Sequence, residues 1–537
     1  ATAWSAFQGA REAPAPAGDR ARDRVPALMI LLLALRNLAH RPWRSALLFL
    51  GYGLGVGVMI VLLAIGEALI AQASDERLVG GGELTVLPEG LDVEVMKTGG
   101  LGGLFFSITN ARFVQLQLLA APRLARDVRA VAPQIEGRLL YLRLPDGREV
   151  PVRATGEVPS ATRAVGAMPA LADGRWEDDA GDRRWMAPNA AELRHAIDHF
   201  HRPPVGVANP ASWGEWHYFN VLSADRRRWA FVTLLIAGQI GAADSAGRPR
   251  WGGQVLVTTH AEGGGSRRFS TDHPPDAVRF STSDADLRLG ASSVRVLADG
   301  RYAVRARAAA EDGSGEVVDV DLVVTPAERA YFPGATLASG DFASGYAVAG
   351  LRAEASGSLC VGPGAAPARC ERYAGAQSYH DHNWGTWQGV TWEWGATRAG
   401  AYTILYGRVQ PPDSLGTGAP LFVYVTDSLG FRALFRPRAI RYDDARTVTV
   451  GGRTIRVPAR GVMEDVRGRD TLRLELLVED ATATDTRTAL VERGEGAYAR
   501  RLGRPYFVQM KGTARLSGRM GGAPVSGTGA GFFETYR

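Results

Sequence analysis

"SVRVLADGRYAVRARA", residues 293–308, alternates apolar and polar side chains on both sides of an Asp299-Gly300 pair. A period of two is that of a strand with one buried face, and Asp-Gly supplies the backbone angles that a tight hairpin turn needs. The same texture runs outward in both directions. "WAFVTLLIAGQI" and "GQVLVTTHA" come before it, and "EVVDVDLVVTP", "AYTILYGRV", "PLFVYVTDS" and "RTVTVGGRTIRVPA" follow, with Gly451-Gly452 as a further turn pair. Past residue 210 the chain therefore reads as an all-β body. Roughly 330 residues of short strands are too many for one small barrel. Two consecutive β-domains, each a barrel or sandwich, are expected over 185–375 and 376–537, with the change-over near residue 375.

The whole-chain totals agree with several folded parts, since 537 residues exceed what one hydrophobic core supports. The 65 glycines and 29 prolines fit a protein with many turns. The net charge of +6 is carried almost wholly by arginines scattered among acids, and Lys97 and Lys511 are the only lysines. Without a basic stripe interleaved with aromatics, no nucleic-acid partner is expected. Met96 stands before Lys97-Thr98 where a phosphate-cradling loop needs glycine, which excludes nucleotide hydrolysis by that route. Cys360 and Cys370 are the only cysteines. The flexible "VGPGAAPAR" between them allows a disulfide across a hairpin in an oxidising compartment, or two free thiols otherwise.

Residues 1–25 show no apolar periodicity and read as a disordered leader. "ALLFLGYGLGVGVMIVLLAIG", Ala46 to Gly66, is uncharged and long enough to cross a bilayer. The run before it, within 26–45, is too short to span and suits a helix lying on the membrane surface. Arg36, Arg41 and Arg44 precede the span while Asp75, Glu76 and Arg77 follow it. Positive charge stays inside, so the N-terminus is expected in the cytoplasm and the main body in the periplasm of a bacterial inner membrane, single-pass. A cleaved signal peptide, with "AQA" at 71–73 as its site, is the alternative, and both export the body.

"APNAAELRHAIDHFHRPP" supplies a short helix on which Leu193, Ile197 and Phe200 recur at helical spacing. His195 and His199 lie one turn apart with His201 behind them, yet the third ligand and the acid of a recognised zinc motif are lacking. Packing histidines are the expectation, and no metal site is assigned.

Two aromatic stretches stand out: "YHDHNWGTWQGVTWEWG" at 379–395 and "WGEWHYFNV" at 213–221. On a strand His380, His382 and Trp384 share one face and Tyr379, Asp381 and Asn383 the other, while Trp392 and Trp394 lie opposite Glu393. Rings facing an interior either fill a core or line a dry tunnel for a long apolar ligand, where their π faces stabilise a carbocation. Histidine, acid and amide at this density are costly to bury without a task. The expected wall is Trp216, Tyr218, Asn383, Trp384, Trp387, Trp392 and Trp394, with Glu215, His217, His380 and Glu393 as further polar candidates.

"ELRHAIDHFHRPP", "EWHYFN", "YHDHNWG", "WEWG" and the terminal "GFFETYR" resemble, as ordered motifs, the lipocalin-like hydratases that include carotenoid 1,2-hydratase, also called hydroxyneurosporene synthase. The resemblance covers about residues 185–537 and implies tandem calycin-type β-domains with a ligand pocket near their junction. It implies chemistry in which an acid protonates a terminal alkene, a tertiary cation forms among aromatic rings, and water captures it without a cofactor. His382 and Trp384 match the family's His-x-Trp, while Tyr406-Gly407-Arg408 stands at its Tyr-x-Asp. Arg408 cannot replace that acid, so Asp381, Glu215 or Glu393 takes over protonation, or this branch does not hydrate. The resulting catalytic set is Asp381, His382 and Tyr406, with Asp381 as the acid on motif position.

A second resemblance lies at the front. "LALRNLAHRPWRSALLFLGYGLGVGVMIVLLAIGEAL" and the stretch from "GGGELTVLPEG" to "GRW" are similar to the first helix and periplasmic start of ABC-transporter permeases of the macrolide-export and lipoprotein-release type. It implies a small α+β segment over 78–180 and, as partners, a separate ABC ATPase and permease subunit. Two functions follow: a membrane-anchored enzyme acting on an isoprenoid or other hydrophobic, lipid-like molecule, or a non-catalytic lipid-binding accessory of an export system.

Overall fold

In the computed structural model the described residues are 29–73 except 30, 31, 34 and 37, then 108–166, 177–201 except 188, 213–238, 252–261, 265–339, 342–364, 368–387, 390–410, 420–486 and 504–537. The expected leader and residues 78–107 lie outside them. The chain divides into two units, residues 1–85 and 86–537. In the first, helix α1 (Pro42–Ala73) contains a 25-residue stretch, Pro42–Gly66, long and apolar enough to span a membrane. At 1.5 Å per residue it is about 37 Å long, more than a bilayer's hydrocarbon core. The described positions between 29 and 40 are also helical.

The second unit opens with a small α+β segment. It holds a helix over Ile108–Ala120, an antiparallel hairpin of Gln134–Arg143 with Glu149–Glu157, and a short helix at Ala180–Met186 that Asp179 and Asp182 close in a capping box. Helix α2 (Ala190–Ile197), capped by the Asn189 side chain, leads into the β body. Leu193, Ile197 and Phe200 are buried as the helical spacing predicts, although the helix stops before Phe200.

The first β-domain is a closed barrel of eight antiparallel strands: β1 (Trp213–Leu222), β2 (Trp229–Ala237), β3 (Gly252–Ala261), β4 (Gly265–His273), β5 (Tyr302–Ala310), β6 (Glu316–Pro326), β7 (Phe342–Pro363) and β8 (Arg369–Thr386). Each pairs with the next in sequence, and β8 returns to pair with β1. The alternation that opened the sequence reading does its work here. On β5, Tyr302, Val304, Ala306 and Ala308 point into the core, while on the outer face Arg307 forks onto the carboxylate of Asp319 from β6 at 2.7 and 2.8 Å. Cys360 and Cys370 oppose each other across β7 and β8 and are joined by a disulfide.

The second β-domain is an open, nine-stranded half-barrel. Its strands are β9 (Thr391–Ala399), β10 (Tyr402–Gln410), β11 (Phe422–Asp427), β12 (Gly430–Phe435), β13 (Arg441–Asp443), β14 (Arg460–Arg467), β15 (Asp470–Asp485), β16 (Tyr506–Met520) and β17 (Ala523–Tyr536), in the order β12-β11-β10-β9-β17-β16-β15-β14-β13. The body is thus mainly β and lipocalin-like, as expected. One boundary moves: β8 spans residue 375 and is hydrogen-bonded on both edges within the barrel, so the sheets change over between Thr386 and Thr391. A closing strand pairs with the distant first strand, a contact that no local pattern reveals.

Candidate functional site

β8 and β1 pair His382 with His217, Asp381 with Tyr218 and Asn383 with Trp216. Because side chains alternate, this one pair of strands builds two separate clusters on its two faces.

The inner cluster lies within the barrel. His380, His382, His217 and Glu215 point inward and are fully buried, and Asp198, just past α2, joins them with no exposure. Asp198 Oδ2 accepts from the Tyr302 hydroxyl and lies 3.1 Å from His380 Nε2, while His380 Nδ1 donates to the Tyr218 carbonyl at 3.0 Å. Glu215 accepts from the His201 backbone N–H at 2.9 and 3.1 Å, and its Oε1 is 2.7 Å from His382 Nε2 and 2.9 Å from His201 Nδ1. In this cluster four buried atoms have no hydrogen-bond partner among the described residues: both ring nitrogens of His217, Asp198 Oδ1 and His382 Nδ1. The last two stand 3.5 Å apart. Burial opposes charge throughout, yet the imidazoles around Asp198 and Glu215 hold both carboxyls below their usual range. His382 rises to about 9 because these two acids outweigh its desolvation, whereas burial and His382 push His217 well down.

The outer cluster lies between the two β-domains. Trp216, Tyr218, Tyr379, Asp381 and Asn383 on the barrel wall meet Trp392, Trp394, Phe532, Glu534 and Tyr536 on β9 and β17. Asp381 accepts from the Tyr379 hydroxyl at 2.6 Å and from Asn383 Nδ2 at 2.8 Å, and Trp394 Nε1 donates to that same tyrosine oxygen at 2.8 Å. Across from it, Glu534 accepts from Trp392 Nε1 at 2.9 Å and from Gln509 Nε2 at 3.1 Å. Among the described residues neither carboxyl has an arginine or lysine as a hydrogen-bond partner. Desolvation pushes Asp381 up to about 6, and desolvation together with the nearby Asp381 charge pushes Glu534 up to about 7. Trp216, Trp387 and Trp392 pack ring to ring with centroids 4.7, 5.8 and 6.4 Å apart and are partly exposed, as are Asn383 and Glu534. They form the open rim of the junction. Gly407 makes room for this arrangement, because a Cβ there would overlap the Trp394 indole.

The sequence-predicted catalytic set does not assemble. Asp381 faces the junction, His382 the barrel interior, and Tyr406 the core of the half-barrel, where its hydroxyl has no partner among the described residues. Adjacent strand residues must point to opposite faces, and Tyr406 sits inward on a different sheet. Glu215 and His217 likewise belong to the inner cluster. Trp384 stacks there on His201 at 4.6 Å, so it does not join the wall that holds the other predicted tryptophans. Glu393 is engaged by Arg408, whose Nε donates at 2.7 Å, on the half-barrel side. Arg408 thus neutralises the Glu393 carboxylate.

Two residues were missed. Glu534 lies within "GFFETYR", where Phe532, Glu534 and Tyr536 alternate onto one face, a signal readable in advance. Asp198 supplies the acid that the histidine-rich helix itself lacks, and it is hidden because the helix ends at Ile197. With it, Asp198, His217 and His380 bring three donor atoms within 4.8 Å of one another, as do His201, Glu215 and His382.

No protein-family model matches the chain, and no curated protein is similar to it. Among solved structures it is similar to a protein designated AttH from Nitrosomonas europaea, at 15% identity and a TM-score of 0.38, over 62% of this chain and 96% of that one. It is also similar to kievitone hydratase from Nectria haematococca, at 13% identity and 0.38 over 64% and 97%, and to CghA with Sch210972, at 14% and 0.38 over 63% and 94%.

Proposed function

We propose that this chain is a membrane-anchored, exported enzyme that adds water to, or cyclises, an unsaturated apolar molecule at the cleft between its β-domains. The observation that carries this reading is the convergence of Glu534 and Asp381, from two different sheets, on one aromatic cleft, with no arginine or lysine hydrogen-bonded to either among the described residues. A carboxyl near an apolar wall keeps its proton at neutral pH and can donate it. Glu534 protonates an alkene carbon, and the carbocation is held over the rings of Trp216, Trp392 and Trp394. Water then forms the C–O bond, and its released proton returns to the carboxylate pair, so the net change is one added water. In a cyclase an internal double bond attacks the cation instead, and the new cation loses a proton to the carboxylate pair, which gives an isomer of the substrate. An isoprenoid such as a carotenoid is the finer substrate class, and it rests on the motif resemblance alone.

The test incubates the purified full chain, in detergent, with a lipid extract and analyses bound and changed species by mass spectrometry. A product heavier by one water, or an isomer of altered retention, is expected with the native chain and lost in Glu534→Gln. A lipid retained unchanged by native chain and variant alike would overturn the enzyme. It would favour the accessory reading, with an ABC ATPase and permease subunit as partners, for which the Arg408–Glu393 pairing speaks.

A further inference from the structure

We infer that the barrel interior holds a divalent transition-metal ion of the zinc class, bound by Asp198, His217 and His380. The three residues come from three places in the chain: the end of α2, strand β1 and strand β8. Their donor atoms lie within 4.8 Å of one another, and all three side chains are buried. Zinc ligands at about 2.0–2.1 Å in a tetrahedron stand about 3.4 Å apart, so the set must contract by at most about 1.4 Å to hold an ion.

Three further observations point to an ion. The first is orphaned polarity. Among the described residues His217 has neither ring nitrogen hydrogen-bonded, and Asp198 Oδ1 has no hydrogen bond and only the His382 Nδ1 contact at 3.5 Å. Buried polar atoms are nearly always satisfied, and a histidine with both nitrogens bare is a costly filler for an apolar core. Its ring stacks on His382 at 4.4 Å and on His380 at 5.2 Å, and among the described residues no group hydrogen-bonds to its nitrogens. The second is the support behind the ligands. His380 Nδ1–H is committed to the Tyr218 carbonyl, which fixes the tautomer and leaves Nε2 turned towards Asp198. Tyr302 grips the other Asp198 oxygen. A metal-bound imidazole donates its far N–H to a carbonyl or carboxylate in this manner. The third is charge. Asp198 places a carboxylate in a closed interior, beside the Glu215 carboxylate that His201 and His382 engage, and a dication offsets it.

His382 stands next to this set: its Nε2 is held by Glu215, and its Nδ1 lies 3.5 Å from Asp198 Oδ1. Imidazole and carboxylate donors suit zinc, iron or nickel more than magnesium or calcium. With no exposure at any of the three ligands, the site offers no path for a substrate, and the ion's role is structural. Its effect is to pin the end of α2 to the strands that carry the outer cleft.

The test uses the full chain with an affinity tag free of histidine. Metal content is measured by mass spectrometry after dialysis, and the chelator-stripped protein is titrated with Zn²⁺ and with Co²⁺. About one equivalent of metal, a d–d absorption band with Co²⁺ and a higher melting temperature with Zn²⁺ are expected. His217→Phe, which keeps a ring in the stack, and Asp198→Asn should each cut bound metal at least tenfold, whereas His195→Ala and Glu534→Gln should retain it. Native protein that gives no d–d band and no melting shift would overturn the inference, as would a full equivalent retained by a folded His217→Phe variant. Because Glu534→Gln serves as a metal-retaining control, loss of catalysis there leaves this site intact, and the two readings fail separately.

Discussion

Replacing Glu534 with glutamine removes a titrating proton from the cleft while keeping its shape. Glutamine's oxygen still accepts one of the two hydrogen bonds from Trp392 and Gln509, and the other must rearrange, a loss of about 1 kcal/mol. That cost is independent of pH. The native carboxyl, by contrast, is raised from 4.5 to about 7 in the folded chain. Below about 4.5 both folded and unfolded states are protonated, and the group contributes its full stability. As pH rises from 4.5 towards 7 the unfolded chain has released the proton and the folded one retains it, so native stability falls. The interval corresponds to about 3 kcal/mol, reduced to about 2 kcal/mol because the side chain keeps some solvent contact. Melting temperatures of native and Glu534→Gln chains, measured side by side from pH 4.5 to 8, should therefore cross or converge. The native protein starts more stable at the acid end and loses its lead by several degrees as pH rises. A difference between the two that stays constant across this range would refute the reasoning, because it would mean that Glu534 is ionised throughout. The same titration governs catalysis: activity should decline as pH passes above about 7, where the donor proton is lost.

Trp394→Phe keeps a ring against the cleft but deletes the N–H that orients Tyr379 and, through it, Asp381; a tenfold or greater fall in turnover, with ligand retention little changed, is expected in the same mass-spectrometric assay. His382→Phe leaves the buried Glu215 carboxylate with His201 alone and should lower stability by about 3 kcal/mol, against under about 0.5 kcal/mol for the partly exposed His195→Ala, both read as melting shifts. Cys360→Ser with Cys370→Ser should cost at most about 3 kcal/mol, since the closed loop is short. Protein purified without reductant should show no free thiol, and two titratable thiols would refute the bridge.

The strand texture was legible because burial imposes it directly: Tyr302, Val304, Ala306 and Ala308 had to be apolar to fill the barrel, and Arg307 had to be polar to stay outside. The two faces of β8 were legible for the same reason. Which wall each face would meet was not. Alternation states that Asp381 and His382 diverge, but it is silent on whether Tyr406 arrives from the same side, because that depends on how a second sheet stacks on the first. The closure of β8 onto β1 joins residues more than 150 positions apart, so the apparent start of a second domain near 375 was in fact the barrel's last strand. Glu534 stood in plain view at the chain's end, flanked by aromatics, and only its meeting with Asp381 required the fold.

The two clusters are mechanically joined through β8. His380 and His382 flank Asp381 in sequence, and their rings are held inside the barrel by Asp198, Glu215 and the Tyr218 carbonyl. Tyr218 in turn presents its own ring to the cleft from the paired strand. A catalytic carboxyl held within a fraction of an ångström of its working position needs neighbours that cannot move, and a polar network closed on the far side of the same two strands meets that need. The buried histidine cluster is thus best understood as the support for the cleft rather than as a second reaction centre. On that account, substitutions inside the barrel that leave the protein folded should lower turnover by displacing Asp381, while leaving the alkaline limb of the pH profile, which belongs to Glu534, where it was.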